Sequence, residues 1–362
     1  MGVWAAVARN ALWNMGRGLF NLMRAISWLF TCTFCRVRQN RRPSAYDKTA
    51  HVQTVWARHK LDLVLQPSGP ENFITVHDSF QDPDYVLKEN VTLYYVTKDE
   101  AVFVEVEQGV DVSSGHHAAF VRIAQFQKAR KIIVLPIHVF HQLAEKVGHP
   151  KGKLIIVSNT SRCGSTLLTQ VFEETGSAIA LSEPDAMNAL TMLRGVVSDD
   201  ELERVIRHSV NMLCKPISRD IKAYVLKLTA PTMAATPYLD KLYPDAYHLF
   251  MYRDGLKVAQ SLARAAKGLP LLELLLIFGR HSPKITQKMV IEMGLPAEQF
   301  GSKVESPIHF CSIVWASAMK LYNDFREQGI YIGSKAERHF CFNLHINTSI
   351  HLFHFIYYIL IC

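Results

Sequence analysis

The run KLIIVSNTSRCGSTLLTQVFEETG, residues 153 to 176, constrains this chain more than any other part of it. Lys153 to Val157 is short, apolar and β-branched, and the polar turn from Ser158 to Arg162 stops it, which predicts a buried parallel strand. Leu167, Leu168, Val171 and Phe172 then recur at helical spacing, with Gly176 placed to end the helix. A strand that feeds a helix through one glycine makes an anion site, because the N–H groups of the first turn have no partner inside the helix and point at whatever precedes it. Gly164 lets the backbone come close, Ser165 and Thr166 add hydroxyl donors, and Arg162 adds a planar cation suited to phosphate or sulfate oxygens.

The nucleotidase form of such a loop requires Gly-x4-Gly-Lys-Ser/Thr. Aligned on Gly164 and Thr166, this chain has Asn159 for the first glycine and Ser165 for the lysine, which ranks a kinase or nucleotidase last. A second junction of the same kind follows at Tyr247 to Arg264, YHLFMYRDGLKVAQSLAR. Tyr247 to Tyr252 reads as a strand, Arg253 and Asp254 as its exit, and Leu256, Val258, Ala259 and Leu262 suit the helix that follows.

The stretch S-R-C-G-S-T-L-L resembles the 5′-phosphosulfate loop of the sulfotransferases that use 3′-phosphoadenosine 5′-phosphosulfate. Arg253 and Ser261 look like the arginine and serine of that family's 3′-phosphate motif, at its usual separation, although the family more often has proline where this chain has Gly255. The resemblance implies that Arg162, Cys163, Gly164, Ser165 and Thr166 hold the 5′ end of the co-substrate and Arg253 and Ser261 its 3′ end, with no metal. It implies transfer of a sulfuryl group to a hydroxyl acceptor, a carbohydrate or other small molecule that the sequence does not specify.

Such a transfer needs cations for the moving group and a base for the acceptor proton. Arg162 and Lys227 supply positive charge. For the base, the resemblance to the carbohydrate and protein-tyrosine members puts an acid–proline pair near the acceptor, which here is Glu183-Pro184; a solvated acid beside a turn proline is the plain alternative. On this reading Glu183→Gln lowers turnover and leaves the fold and co-substrate affinity as they were. Cys163, next to the loop, also fits a small buried thiol without chemistry. The competing function is a nucleotide-binding relative without turnover, with a structural or partner-binding role.

Around the two junctions, strands are expected at 177–181 and 224–228, a helix at 199–214 capped by Ser198, and a helix from Pro307 to Glu327 capped by Ser306. Strands alternating with helices imply an α/β fold, a three-layer P-loop arrangement with a parallel sheet over residues 151–333, and ligands at the carboxyl ends of its strands. Residues 47–150 form a smaller α+β region, with a hairpin of Val91 to Val96 and Ala101 to Val106 and a short helix at Leu143 to Val147. Ile132 to Phe140, β-branched and broken by Pro136, is expected to be a strand, which sends His138 and His141 to opposite faces and leaves no metal pair.

The formal charge of +8 is misleading until located. Residues 1–46 hold seven arginines, no lysine and no acid, and the remaining chain is almost neutral, which argues against a nucleic-acid footprint. The longest uncharged stretch there, between Arg24 and Arg36, has 11 residues, short of the roughly 18–20 that a spanning helix needs. An organelle transit peptide, an interfacial anchor, a poor signal anchor and a basic tail all fit; membrane contact, at the Golgi or another organelle, is the favoured one. Seven thinly spread cysteines make no disulfide framework, and the lone pair Cys32 and Cys35 suits lipidation better than zinc. Residues 334–362 mix histidines and aromatics where family members continue into another strand, which points to an alternative terminus; a genuine one would leave the sheet short of a strand and the co-substrate short of part of its clamp.

Overall fold

The computed structural model describes residues 2–31, 49–115, 117–217, 220–265, 267–279, 282, 284, 306–330 and 339–343. Two five-stranded sheets, one antiparallel and one parallel, share a layer of helices between them.

Helix α1 (Val3–Thr31) comes first, followed by strands β1 (Ala50–Arg58), β2 (Phe73–Gln81), β3 (Val91–Val96) and β4 (Glu100–Glu105). Helix α2 (Val121–Lys128), strand β5 (Lys131–Pro136) and helix α3 (Ile137–Val147) complete this part. Its antiparallel sheet runs β2-β1-β5-β4-β3. The expected hairpin is present as β3 and β4, closed by the Thr97 hydroxyl, which accepts from the Glu100 N–H at 2.9 Å.

Ile132 to Phe140 departs from expectation. The strand stops at Pro136 and a helix begins at Ile137, so His138 and His141 both lie on α3. Proline removes a donor from the ladder but is well tolerated just before a helix. Val139, Phe140, Leu143 and Ala144 then bury one helical face. The β-branched residues before Pro136 had masked that change of period.

The second part contains β6 (Lys153–Asn159), α4 (Ser165–Glu174), β7 (Ala178–Ser182), α5 (Asp185–Leu193), α6 (Asp199–Leu213) and β8 (Ala223–Lys227). It continues through α7 (Thr236–Leu242), β9 (Tyr247–Tyr252), α8 (Gly255–Ala265), α9 (Pro270–Gly279), α10 (Pro307–Glu327) and β10 (His339–Asn343). The sheet order is β10-β9-β6-β8-β7, with every pairing parallel. β6 is central, as its unbroken apolar run requires. Ile155 and Val157 pack on Leu168 and Phe172 of α4, while Leu154 and Ile156 face α5 and α6, which also pack on the antiparallel sheet through Leu93, Phe103 and Ile133.

Ser198 and Ser306 cap α6 and α10 as expected, accepting from the N–H groups of Glu201 and His309. The C-terminal segment is not short of a strand: β10 pairs along β9 from His339↔His248 to Asn343↔Tyr252. A period-2 reading misses it because a five-residue edge strand among histidines and aromatics has little pattern of its own. Cys32, Cys35 and Ile350 to Cys362 lie outside the described residues.

Candidate functional site

The loop after β6 is held from both sides. Asn159, in the slot of the nucleotidase glycine, donates through Nδ2 to the Leu228 carbonyl at 2.8 Å and accepts from the Ser161 N–H at 2.9 Å. The Thr160 N–H donates to the Met251 carbonyl at 3.0 Å. The loop therefore sits across the carboxyl ends of β8, β6 and β9. Ser161 and Arg162 adopt φ values of 61° and 49°, and Gly164 follows at 87°. Two non-glycine residues in the left-handed region cost about 1–3 kcal/mol each, and such strain persists only where surrounding structure imposes it. The N-cap residue of α4, Gly164, has no side chain to cap the helix, and Thr160 Oγ1, which is buried, has no hydrogen-bond partner among the described residues.

Cys163 turns inward from the loop. Its side chain is fully buried in one cluster with Leu168 and Phe172, and burial pushes the thiol up from its ordinary range.

The second junction meets the first. Arg162 Nε donates to Ser261 Oγ at 3.0 Å, and an Arg253 guanidinium nitrogen donates to the Arg162 carbonyl at 3.4 Å. Residues 91 and 99 positions apart thus share one cleft, with Arg162 exposed at its mouth. Gly255 also finds its reason here. A Cβ at that position would lie 2.9 Å from the Trp315 ring, and Trp315 Nε1 donates to the Arg253 carbonyl at 3.0 Å. The ring that holds Arg253 occupies the space that a proline or any other side chain would need.

The floor of the cleft is a buried charge cluster that the sequence revealed only in part. Lys227 Nζ lies 2.6 Å from Glu183 Oε1 and 3.3 Å from Thr166 Oγ1, linking the acid to the start of α4. Arg122, from α2 of the antiparallel part, reaches Glu183 Oε2 at 2.8 Å. Phe120 lies under both cations, 4.9 Å from Arg122 and 5.0 Å from Lys227. Burial alone would raise the Glu183 carboxyl, but Lys227 and Arg122 outweigh it and hold the group below the ordinary carboxylate range. Glu183 is no solvated turn acid: its side chain is 14% exposed and its φ is 54°. Asp185 accepts from the Ser68 N–H at 2.9 Å and fastens residues 60–68 beside it. Arg122 escaped sequence reasoning because its only signal was one cation inside an otherwise apolar run.

His208 belongs to a separate buried pair. It is buried on α6 with its Nδ1 2.7 Å from His141 Nδ1, and His141 Nε2 lies 2.9 Å from Glu201. Among the described residues no three metal-ligating side chains converge.

The start of α4 thus has Arg162, Arg253 and Ser261 on one side of it and the Lys227–Glu183 pair on another. No protein-family model matches the chain, and no curated protein matches it.

Proposed function

We propose that this chain is a sulfotransferase of the three-layer P-loop type, which takes a sulfuryl group from 3′-phosphoadenosine 5′-phosphosulfate and passes it to a hydroxyl, with a carbohydrate as the first acceptor to test. The observation that carries the reading is the 3.0 Å contact of Arg162 Nε with Ser261 Oγ, which joins the two motifs in one cleft. A single phosphate loop serves many nucleotides, whereas a second cationic junction at this distance suits a ligand with anionic groups at both ends.

The residues present fit such a ligand: a helix start whose N-cap is a glycine, and Arg162 exposed beside it. The co-substrate supplies an activated sulfuryl group. Ser165, Thr166 and the α4 N–H groups hold its 5′ end, and Arg253 with Ser261 holds the 3′-phosphate. Lys227, between Glu183 and Thr166, offsets negative charge as it builds near the helix start. Glu183 takes the acceptor proton, and Arg122 fixes its carboxylate.

One observation favours binding without turnover. A carboxylate held between two cations is a weaker base than a free one, because each cation stabilises the ionised form.

Calorimetry with adenosine 3′,5′-bisphosphate and adenosine 5′-monophosphate tests the binding claim. The bisphosphate is expected to bind roughly tenfold or more tightly, since it gains a charge-assisted contact. Equal affinities would remove the basis for the assignment. Transfer of radiolabelled sulfate to a panel of sugars, steroids and tyrosine peptides tests turnover; bisphosphate binding with no transfer would leave the non-catalytic reading in its place.

A further inference from the structure

Helix α1 is two-faced in an unusual sense. Its inner side is attached to the body: Trp13 Nε1 donates to the Glu71 carbonyl at 3.2 Å, Arg24 donates to the Thr75 carbonyl at 3.1 Å, and the Phe20 ring lies 5.4 Å from Trp56. With that side occupied, the opposite side faces outward, and it is apolar. Leu12, Met15, Leu19, Leu22 and Ile26 follow one another at alternating steps of three and four, which places them in one stripe along the helix. Each is 47–72% exposed. Trp4 is exposed nearer the helix start, and Trp56 and Phe278, on elements beside α1, are exposed too. An apolar surface of this extent on the outside of a folded body marks an interaction site.

Charge identifies the occupant. α1 carries Arg9, Arg17 and Arg24 with no acidic residue, and the sequence just beyond it adds Arg36, Arg38, Arg41 and Arg42. A second copy laid stripe against stripe would set two segments with seven arginines each and no carboxylate side by side, a net repulsion. An anionic lipid surface satisfies both properties, taking the apolar side chains below its headgroups while Arg9, exposed on the flank of the stripe, and the acid-free charge of the segment as a whole draw it to the phosphates; Arg17 and Arg24 lie on the side turned to the body. At 29 residues the helix is about 43 Å long, but it is not apolar enough to cross a bilayer, so it lies along the surface. We infer that α1 is an interfacial membrane helix that docks the folded chain, with the stripe from Leu12 to Ile26 facing down, on anionic lipid.

Flotation of the full chain with phosphatidylcholine vesicles, with and without phosphatidylserine, tests this. Binding is expected to the anionic vesicles, to weaken as salt is raised, and to fall roughly tenfold or more in Leu19→Gln/Leu22→Gln, whose side chains lie largely in solvent so that the fold is unaffected. Arg9→Gln should reduce binding to anionic vesicles alone. Failure to float, equal binding to both vesicle types, or unchanged binding of the double variant would overturn the inference. So would a dimer, seen by sedimentation equilibrium without lipid, that the double variant abolishes.

Discussion

Arg122 and Glu183 meet at 2.8 Å although one belongs to the antiparallel part and the other follows the second strand of the parallel sheet. With Lys227 on its other oxygen at 2.6 Å, Glu183 is held as a carboxylate by two cations, neither of which has much access to water. This changes what its replacement does.

Glu183→Gln leaves Lys227 and Arg122 buried without their counter-charge. Removing one member of a buried ionic cluster costs about 3–5 kcal/mol, so the variant should be clearly less stable, contrary to the simple expectation that only turnover suffers. The pH dependence follows from the direction of the shift. The folded-state carboxyl titrates below its unfolded value, so the stabilisation is complete above the ordinary carboxylate range and is lost as pH falls through the folded-state value. Chemical denaturation from neutral pH down into the acid range should show that loss in the wild type and a flatter profile in the variant. On any acceptor found, turnover should drop by about 10²–10⁴.

Arg253→Ala should weaken adenosine 3′,5′-bisphosphate by about tenfold or more and leave adenosine 5′-monophosphate unaffected. Ser261→Ala should act in the same direction, and in addition free the Arg162 side chain that it now receives at 3.0 Å. Calorimetry on both nucleotides separates a lost 3′ contact from general damage, which would weaken the two alike.

Gly255→Ala forces a Cβ to within 2.9 Å of the Trp315 ring. Overpacking of this kind costs about 1–3 kcal/mol, and here the group displaced is the one that binds the Arg253 carbonyl. Thermal unfolding should therefore reveal a lower midpoint together with weaker bisphosphate binding. Gly255→Ala/Trp315→Leu, which makes room for the methyl, should recover stability more fully than affinity.

The contact of His141 with His208 predicts a second, separate acid sensitivity. Burial lowers both groups, and the nearby His141, Arg207 and Arg204 help bring His208 down to about 4. A histidine lowered on folding binds fewer protons than it does unfolded, so its stabilisation is complete above its unfolded value near 6.5 and declines as pH falls towards 4. Glu201 and Glu145 face the same pair and moderate it. His208→Gln should flatten the denaturation profile between pH 6.5 and 4, a window above the one in which Glu183 acts.

Local pattern was enough for the elements that carry their own period. The strands at β6 and β9, the loop between β6 and α4, and the caps Ser198 and Ser306 each depend on residues a few positions apart, so all of them were legible in the order of the amino acids. So was the β9-to-α8 junction on which Arg253 and Ser261 lie. What lay beyond the sequence was decided by contacts between distant segments. Arg122 joins the cleft only because α2 packs beside the end of β7, and Gly255 must be glycine only because Trp315, from the far helix α10, fills its space. β10 becomes a strand because β9 offers it an open edge, and the apolar face of α1 points outward because Trp13, Phe20 and Arg24 fasten the other side. Propensity and periodicity act over one or two turns of chain, whereas the charge on Glu183 and the exposure of Leu19 depend on which surfaces the folded chain brings together.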